Sequence, residues 1–199
     1  MKKGKLIIIS GPSGVGKGTV VKALMEQNPQ MKLSVSATTR AKRPNEIDGV
    51  HYYFISHEAF EKMIAQNRFL EYAQYVGNRY GTPEEPVNKM LDAGYDVILE
   101  IEVQGGMQVM KHRPDAISIF VAPPSFTVLE ERLRGRGDTE EDKILMRLQQ
   151  ARVEYFLAPY YQYIVVNDKL EDAVLDVQSI LRVVDLKSEN QQHLLKEAL

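Results

Sequence analysis

The sequence predicts an α/β fold built on a parallel central sheet, and three observations predict it. Short β-branched runs at residues 5–9, 96–101, 117–121 and 163–166 alternate with helix-compatible stretches, the pattern of parallel strands joined by crossover helices. The first run, ending Leu6-Ile7-Ile8-Ile9, flows through a glycine-rich turn into the helical stretch Val20-Val21-Lys22-Ala23-Leu24-Met25. Between the first two runs lies an aromatic-rich segment of different character, which reads as an insertion of mixed α/β type.

The turn after the first strand is Gly11-Pro12-Ser13-Gly14-Val15-Gly16-Lys17-Gly18-Thr19. Glycines at this spacing let the backbone curl so that successive N–H groups point inward. The following helix presents its positive end, and Lys17 adds a point charge toward β- and γ-phosphates. A turn that merely joins strand to helix needs neither the lysine nor this spacing, so a nucleoside triphosphate is the leading ligand and the P-loop NTPase fold the leading class. One position departs from the general pattern. Gly18 stands where a Mg²⁺-binding Ser or Thr is usual, and the hydroxyl comes one place later at Thr19. Mg²⁺ dehydrates reluctantly and can be held through phosphates and water, so the departure argues against a direct protein ligand rather than against the metal.

The inserted segment carries Tyr52-Tyr53-Phe54, a short helix over residues 56–67 and a strand around residues 69–75. Thr82-Pro83-Glu84-Glu85 combines an N-cap residue, a proline at the first helical position and a capping-box glutamate, and predicts a helix of about three turns. After Pro123-Pro124, Ser125 caps a helix running to Arg134. Gly135-Arg136-Gly137-Asp138 then interrupts it, and Thr139 opens a long helix to Leu157. An arginine-bearing break between two helices reads as a closing flap. Residues 188–199 read as an ordinary amphipathic helix.

The 199 residues fit one domain with an inserted subdomain, and 44% hydrophobic with 26% charged residues describes a globular chain with a real core. A net charge of −2 supplies no basic field for nucleic acid. Cysteine is absent, which excludes disulfides and thiolate metal sites and suits a cytoplasmic setting. The apolar run after Met1-Lys2-Lys3-Gly4-Lys5 is too short for a secretory signal, and no stretch is long enough to span a bilayer. His51, His57, His112 and His193 lack metal-ligand spacing. Self-association is left open.

Within the insertion, Ser34-Val35-Ser36-Ala37-Thr38-Thr39-Arg40 is followed by Arg43 and then His51-Tyr52-Tyr53. Two arginine forks with nearby phenols suit a second phosphate, and a solvated charge patch explains them equally well on residues alone. Farther on, Glu71 is a lone acid in the aromatic run Phe69-Leu70-Glu71-Tyr72-Ala73-Gln74-Tyr75, ahead of Gly77-Asn78-Arg79-Tyr80-Gly81-Thr82.

Here the chain resembles the guanylate kinase family. The glycine loop, the Ser-x-x-x-Arg-x-x-Arg segment, the Glu-Tyr-Ala-Gln and Gly-Asn-Arg-Tyr-Gly stretches, Leu99-Glu100-Ile101-Glu102-Val103-Gln104-Gly105, the region around Arg132 to Arg136 and Val165-Val166-Asn167-Asp168 follow in the family's order. The resemblance implies transfer of the γ-phosphoryl group of MgATP to GMP, and to dGMP, in purine nucleotide metabolism. It implies a GMP-binding subdomain over residues 34–82, a core of residues 1–33 and 83–199, and a helical lid near residues 126–157. Arg40, Arg43, Tyr52 and Tyr80 would hold the GMP phosphate, while Ser36, Glu71, Thr82 and Glu102 surround guanine. Loop residues 11–19, Arg132, Arg136 and Asn167 would serve ATP, with Lys17, Arg40, Arg136 and Arg147 as the catalytic cations. Guanine offers donors at N1 and N2 that a carboxylate accepts together, whereas adenine lacks both, and such mismatches discriminate by about 10⁴. The family often has aspartates at the positions of Glu100 and Glu102. The longer side chain leaves direct base contact by Glu102 open, and Glu100 fits a role in orienting metal-bound water. Two rivals remain. A binding module would use the same cleft without catalysis, and the Gly-Lys-Gly-Thr ending of the loop also resembles adenylate kinase.

Overall fold

A computed structural model describes residues 3–75, 77–135 and 140–191. Its organising element is β1 (Leu6–Ser10), buried along its whole length and paired in parallel with a strand on each side. The chain continues as α1 (Lys17–Gln27), β2 (Met31–Leu33), β3 (Ala37–Thr38), β4 (Tyr53–Phe54), α2 (His57–Ala65), β5 (Phe69–Tyr75), β6 (Asn78–Pro83), α3 (Glu84–Asp92) and β7 (Asp96–Glu100). It ends with α4 (Val103–His112), β8 (Ile117–Ala122), α5 (Phe126–Arg134), α6 (Glu141–Tyr155), β9 (Tyr163–Val166) and α7 (Leu170–Leu186). The main sheet has the order β2-β7-β1-β8-β9 and is parallel throughout.

Period-two alternation divides the apolar residues between two cores. Ile7, Ile9, Ile98, Ile119 and Val121 face one side, where α1, α5, α6 and α7 bring Leu24, Leu133, Ile144 and Val177. Leu6, Ile8, Leu99 and Phe120 face the other, against Val87 and Leu91 of α3 and Val109 of α4. Strands buried on both faces read as continuous apolar runs, which made β1, β7 and β8 visible in the sequence; β9, the fourth of the five to be seen, keeps an apolar run although Ile164 and Val166 are exposed. The missed one, β2, is a three-residue edge strand with only Met31 buried.

A second sheet, β4-β3-β6-β5, pairs β3 with β4 in parallel and β6 antiparallel to both β3 and β5. Its own core is small, with the Phe60 and Phe69 rings stacked at 4.4 Å between centroids. Leu70 leaves this sheet to join the core under α3 and α4, anchoring the insertion to the main body.

Several local expectations need correction. The Ser56 hydroxyl does cap α2, accepting from Ala59 N at 3.1 Å, but the helix stops at Ala65 and the chain turns at Asn67 with φ 52°. Thr82 is not an N-cap. It belongs to β6, Pro83 takes the cap position, and no side chain caps α3. The Thr82 hydroxyl is instead drawn to Glu71, a charge-assisted bond that outcompetes a neutral cap. Ser125 caps α5 as expected, accepting from Val128 N. Helix α6 ends at Tyr155 rather than Leu157, and Thr139 lies outside the described residues. Near the C-terminus, Ser188–Asn190 form a 3₁₀ turn rather than the start of an α-helix, and residues 192–199 lie outside the described residues.

Helix α4 packs so closely that Gly106 has no room for a Cβ, which would collide with Tyr161 Oη and stand 2.9 Å from Ser10 Oγ. In a free helix Gly→Ala stabilises by about 1 kcal/mol. Gly106→Ala should instead destabilise by about 1–3 kcal/mol through overpacking, seen as a lower melting temperature. A melting temperature at or above that of the parent would show that Tyr161 yields without cost.

Candidate active site

The main sheet delivers chemistry to one edge. In open α/β sheets ligands bind beyond the carboxyl ends of the strands where the order reverses, and here β1 lies between its two crossovers at that point. The loop of residues 11–19 leaves the end of β1, and beside it Glu100 ends β7 with Glu102 two residues on.

Helix α1 begins at Lys17, with Gly16 at its N-cap in the left-handed region at φ 89°. Lys17 Nζ donates to Gly11 O at 2.5 Å and Pro12 O at 3.2 Å, so the ammonium lies over the curl of the loop. Asn167 supports the loop from beneath. Its Nδ2 donates to Val15 O at 2.7 Å and its backbone N–H to Ala122 O at 2.8 Å, which uses the amide donor inside the protein. Arg132 Nη1 in turn donates to Asn167 O at 2.9 Å, fastening α5 to the same junction. Ser13 and Gly14 are partly exposed, and Gly18 and Thr19 lie open at the surface.

Gly18 faces Glu100. A Cβ at residue 18 would stand 3.3 Å from Glu100 Oε1, so the carboxylate approaches the place where the usual P-loop hydroxyl would be attached. Glu100 also borders a groove of about 410 Å³ along α1, which gives water access to its carboxylate. Desolvation raises its pKa, Lys17 opposes the rise and Glu102 adds to it. Among the described residues no three His, Cys, Asp or Glu side chains gather as a metal cluster. A hard cation bound with phosphates would find the Glu100 carboxylate as an oxygen donor on this edge, beside Lys17. Glu102 sits at the N-cap of α4 without making a side-chain cap, so its carboxylate is not consumed by the helix end.

The small sheet faces this edge with two groups of residues. In the first, Arg40 forks onto Glu46 with bonds of 2.7 and 3.1 Å and lies 5.6 Å from the Tyr52 ring centroid. Tyr52 and Tyr80 meet edge-on at 6.1 Å. Arg43 is exposed, and its backbone N–H donates to Glu46 at 2.8 Å. These bonds, the Arg40 fork foremost, hold the Glu46 pKa down to about 2, so the pair stays ionised throughout the neutral range. Sequence reasoning missed Glu46, which lies in an irregular loop with no periodicity to expose it.

In the second group, Glu71 is 7% exposed and Thr82 fully buried, with Thr82 Oγ1 donating to Glu71 Oε1 at 2.6 Å. The other carboxylate oxygen packs on α4, since a Cβ at Gly105 would stand 3.0 Å from Glu71 Oε2. Burial raises the Glu71 pKa, and the hydrogen bonds from Thr82 only partly offset it. Ser36 is half-buried beside this sheet, its carbonyl accepting from Tyr53 N at 2.9 Å.

The segment from α5 to α6 carries several arginines. Arg136 lies outside the described residues. Arg147 projects from α6, partly buried, with no carboxylate partner among the described residues. Arg134 is spoken for by Glu130 and Glu141, joining the ends of α5 and α6. A second acid that sequence reasoning missed, Glu154, is 4% exposed on α6. Gln150 donates to its Oε1, its Oε2 has no partner, and desolvation raises its pKa. A lone Glu on the stripe formed with Ile144 and Ala151 was the available signal.

A parallel sheet with a glycine loop and lysine at one strand end, facing a second wall of arginines and a buried acid, defines a P-loop nucleotide phosphotransferase. Residues 3–184 match the family described as guanylate kinase. The chain is 50% identical over 187 residues to the guanylate kinase of Carboxydothermus hydrogenoformans (strain ATCC BAA-161 / DSM 6008 / Z-2901), covering 94% of this chain and 92% of that protein. It also superposes on the crystal structure of guanylate kinase from Anaplasma phagocytophilum with a TM-score of 0.72 and 32% identity, over 94% of this chain and 88% of that one. The chain belongs to the guanylate kinase family.

Two predictions follow from this geometry. Because the folded pKa of Glu71 lies above its unfolded value, the native state binds the extra proton, and stability falls as pH rises from the ordinary glutamate range through the raised pKa. Glu71→Gln keeps an acceptor for Thr82 and removes the charge. It should therefore be more stable than the parent at pH 7, the gap closing toward pH 4, as read by urea unfolding across that range. A variant less stable at every pH would contradict this. Gly18→Ser should fold normally, its hydroxyl donating to Glu100, with activity within about tenfold of the parent and a shifted Mg²⁺ dependence. A loss on the order of 10³-fold in the folded variant would show instead that bare backbone at residue 18 is required.

Proposed function

We propose that the two walls of this cleft divide the family's reaction, transfer of the γ-phosphoryl group of ATP to GMP giving ADP and GDP. The observation that carries the reading is the buried Glu71–Thr82 pair. An acid kept from water at a desolvation cost can accept from the two donors of a guanine edge. AMP would leave that acid unpaired. We assign residues 34–82 as the GMP-binding subdomain, residues 1–33 and 83–199 as the core, and residues 126–157 as the lid.

Arg40, Arg43, Tyr52 and Tyr80 hold the GMP phosphate, and Ser36, Glu71, Thr82 and Glu102 surround the base. Glu46 fixes Arg40 in its fork orientation. Loop residues 11–19 and Lys17 cradle the ATP phosphates, with Arg132 and Asn167 flanking the adenosine side. None of the assigned acceptor contacts reads the sugar, so dGMP is taken as well. Mg²⁺ bound with ATP would supply charge neutralisation of the phosphates, and Glu100, facing Gly18 beside Lys17, would hold it through water. A GMP phosphate oxygen is already anionic and needs no general base, so alignment and charge neutralisation by Lys17, Arg40, Arg136 and Arg147 lower the barrier. The lid arginines exclude water, so that GMP rather than solvent is the acceptor. The site of action is the cytoplasm, in purine nucleotide metabolism.

The reading is tested by ADP release with MgATP and each of GMP, AMP, UMP and CMP. Turnover with GMP alone supports it, and turnover with AMP at comparable kcat/KM overturns the guanine assignment. Within the active enzyme, Arg43→Ala should raise the KM for GMP about tenfold or more with kcat largely kept, because its contact is made in the ground state. Arg147→Ala should lower kcat by about 10³-fold, as expected of an arginine that meets the migrating phosphoryl group. Near-parental kcat in Arg147→Ala would remove it from the transition state and leave Arg136 as the lid cation.

A further inference from the structure

Strand β5 is an edge of the small sheet, and an edge strand leaves every second residue with an unpaired N–H and C=O. At Tyr72 both groups are taken by one side chain of the main body. Tyr72 N donates to Gln108 Oε1 at 3.2 Å, and Gln108 Nε2 donates to Tyr72 O at 3.1 Å. The amide thus stands in for a neighbouring strand at a single residue. That residue directly follows Glu71, and it lies where β5 passes from its buried half, Phe69 to Glu71, to its exposed half. On α4 the spacing is regular. Glu102 occupies the N-cap, Gly105 lies against the Glu71 carboxylate, and Gln108 follows one turn later. Neighbouring turns of α4 thus meet consecutive residues of β5: Gly105 lies against the Glu71 carboxylate, and Gln108, three residues on, bonds the backbone of Tyr72.

We propose that Gln108 is a positioning residue for guanine selectivity: its amide clasp on Tyr72 sets Glu71 of the inserted sheet in register with Glu102 and Gly105 of α4. The inference rests on the reading of Glu71 as the guanine acceptor. Gln108 touches no substrate and acts only by fixing the strand that carries Glu71. A carboxylate that must accept two donors at once tolerates little lateral play, so loosening the clasp weakens recognition of the 2-amino group before it weakens anything else.

The test compares Gln108→Ala and Gln108→Met with the parent in steady-state kinetics, using GMP, IMP (which lacks the 2-amino group) and MgATP, alongside thermal unfolding. Methionine keeps the bulk of the side chain and removes both hydrogen bonds. Both variants should raise the KM for GMP by roughly five- to tenfold and narrow the GMP-to-IMP ratio of kcat/KM, while the KM for ATP and the kcat at saturating GMP stay within twofold. A lower melting temperature with unchanged GMP kinetics would overturn the inference, leaving the clasp purely structural. Parental kinetics in Gln108→Met would overturn it too, since packing alone would then suffice. Glu71→Gln, assayed in parallel, separates the two readings. If it too leaves GMP kinetics unchanged, the base-site assignment falls and this inference with it; if it is impaired while the Gln108 variants are not, only the positioning role falls.

Discussion

Everything the cleft does depends on the parallel pairing of β1 with both β7 and β8. Parallel neighbours end on the same side, so the loop after β1, the acids after β7 and the Pro-Pro turn after β8 emerge together without any further device. The pairing is enforced by burial on both faces. Ile7 and Ile9 belong to one core and Leu6 and Ile8 to the other, so a one-residue slip would exchange the two sets against differently shaped partners. Asn167 then draws the β9 end into the same cluster by bonding Val15 O inside the loop. The loop's curvature is therefore a property of the sheet as much as of its glycines.

The polar groups around the cleft fall into two energetic kinds. Arg40 and Glu46 form a partly buried fork whose mutual attraction is set against the cost of desolvating both charges. Its value is geometric, because it holds a planar guanidinium against Tyr52 in one orientation. Glu71 and Glu154 are the opposite case. Both are almost wholly buried, both have raised pKa values with desolvation as the leading cause, and neither faces a cation that cancels the cost. An amide or apolar group at either position would avoid that cost.

What the sequence made legible follows the same physics. Strands buried on both faces announced themselves as apolar runs, and the phosphate loop announced itself through glycine spacing and a lysine. The short edge strand β2 did not, because three residues with one buried side chain carry no period. Thr82 was misread in its local role because a threonine before Pro-Glu-Glu satisfies the rule for a helix cap, and only the fold reveals that Glu71 lies across the strand pair to claim its hydroxyl. Glu46 and Gln108 were invisible for a related reason. Each acts on a backbone or side chain brought near by tertiary structure, and neither interrupts a local pattern. Glu154 was readable in principle, as an acid on an otherwise buried helical stripe.

The cations of the cleft differ in what engages them, and that difference ranks how much each must change when phosphates arrive. Lys17 is held by two neutral carbonyls, Gly11 O and Pro12 O, and Arg132 by the carbonyl of Asn167. A phosphate oxygen makes charge-assisted bonds roughly twice as strong as neutral ones, so the lysine can exchange partners at little cost. Arg40 is committed to a full carboxylate, so a phosphate binding there would share the guanidinium with Glu46 rather than displace it. Arg147, with no carboxylate among the described residues, carries no such commitment. Arg40 is thus already oriented by a carboxylate, whereas Lys17 is bonded to carbonyls and Arg147 has no carboxylate partner among the described residues, an asymmetry that on the proposed function would let the acceptor be read before the triphosphate is enclosed.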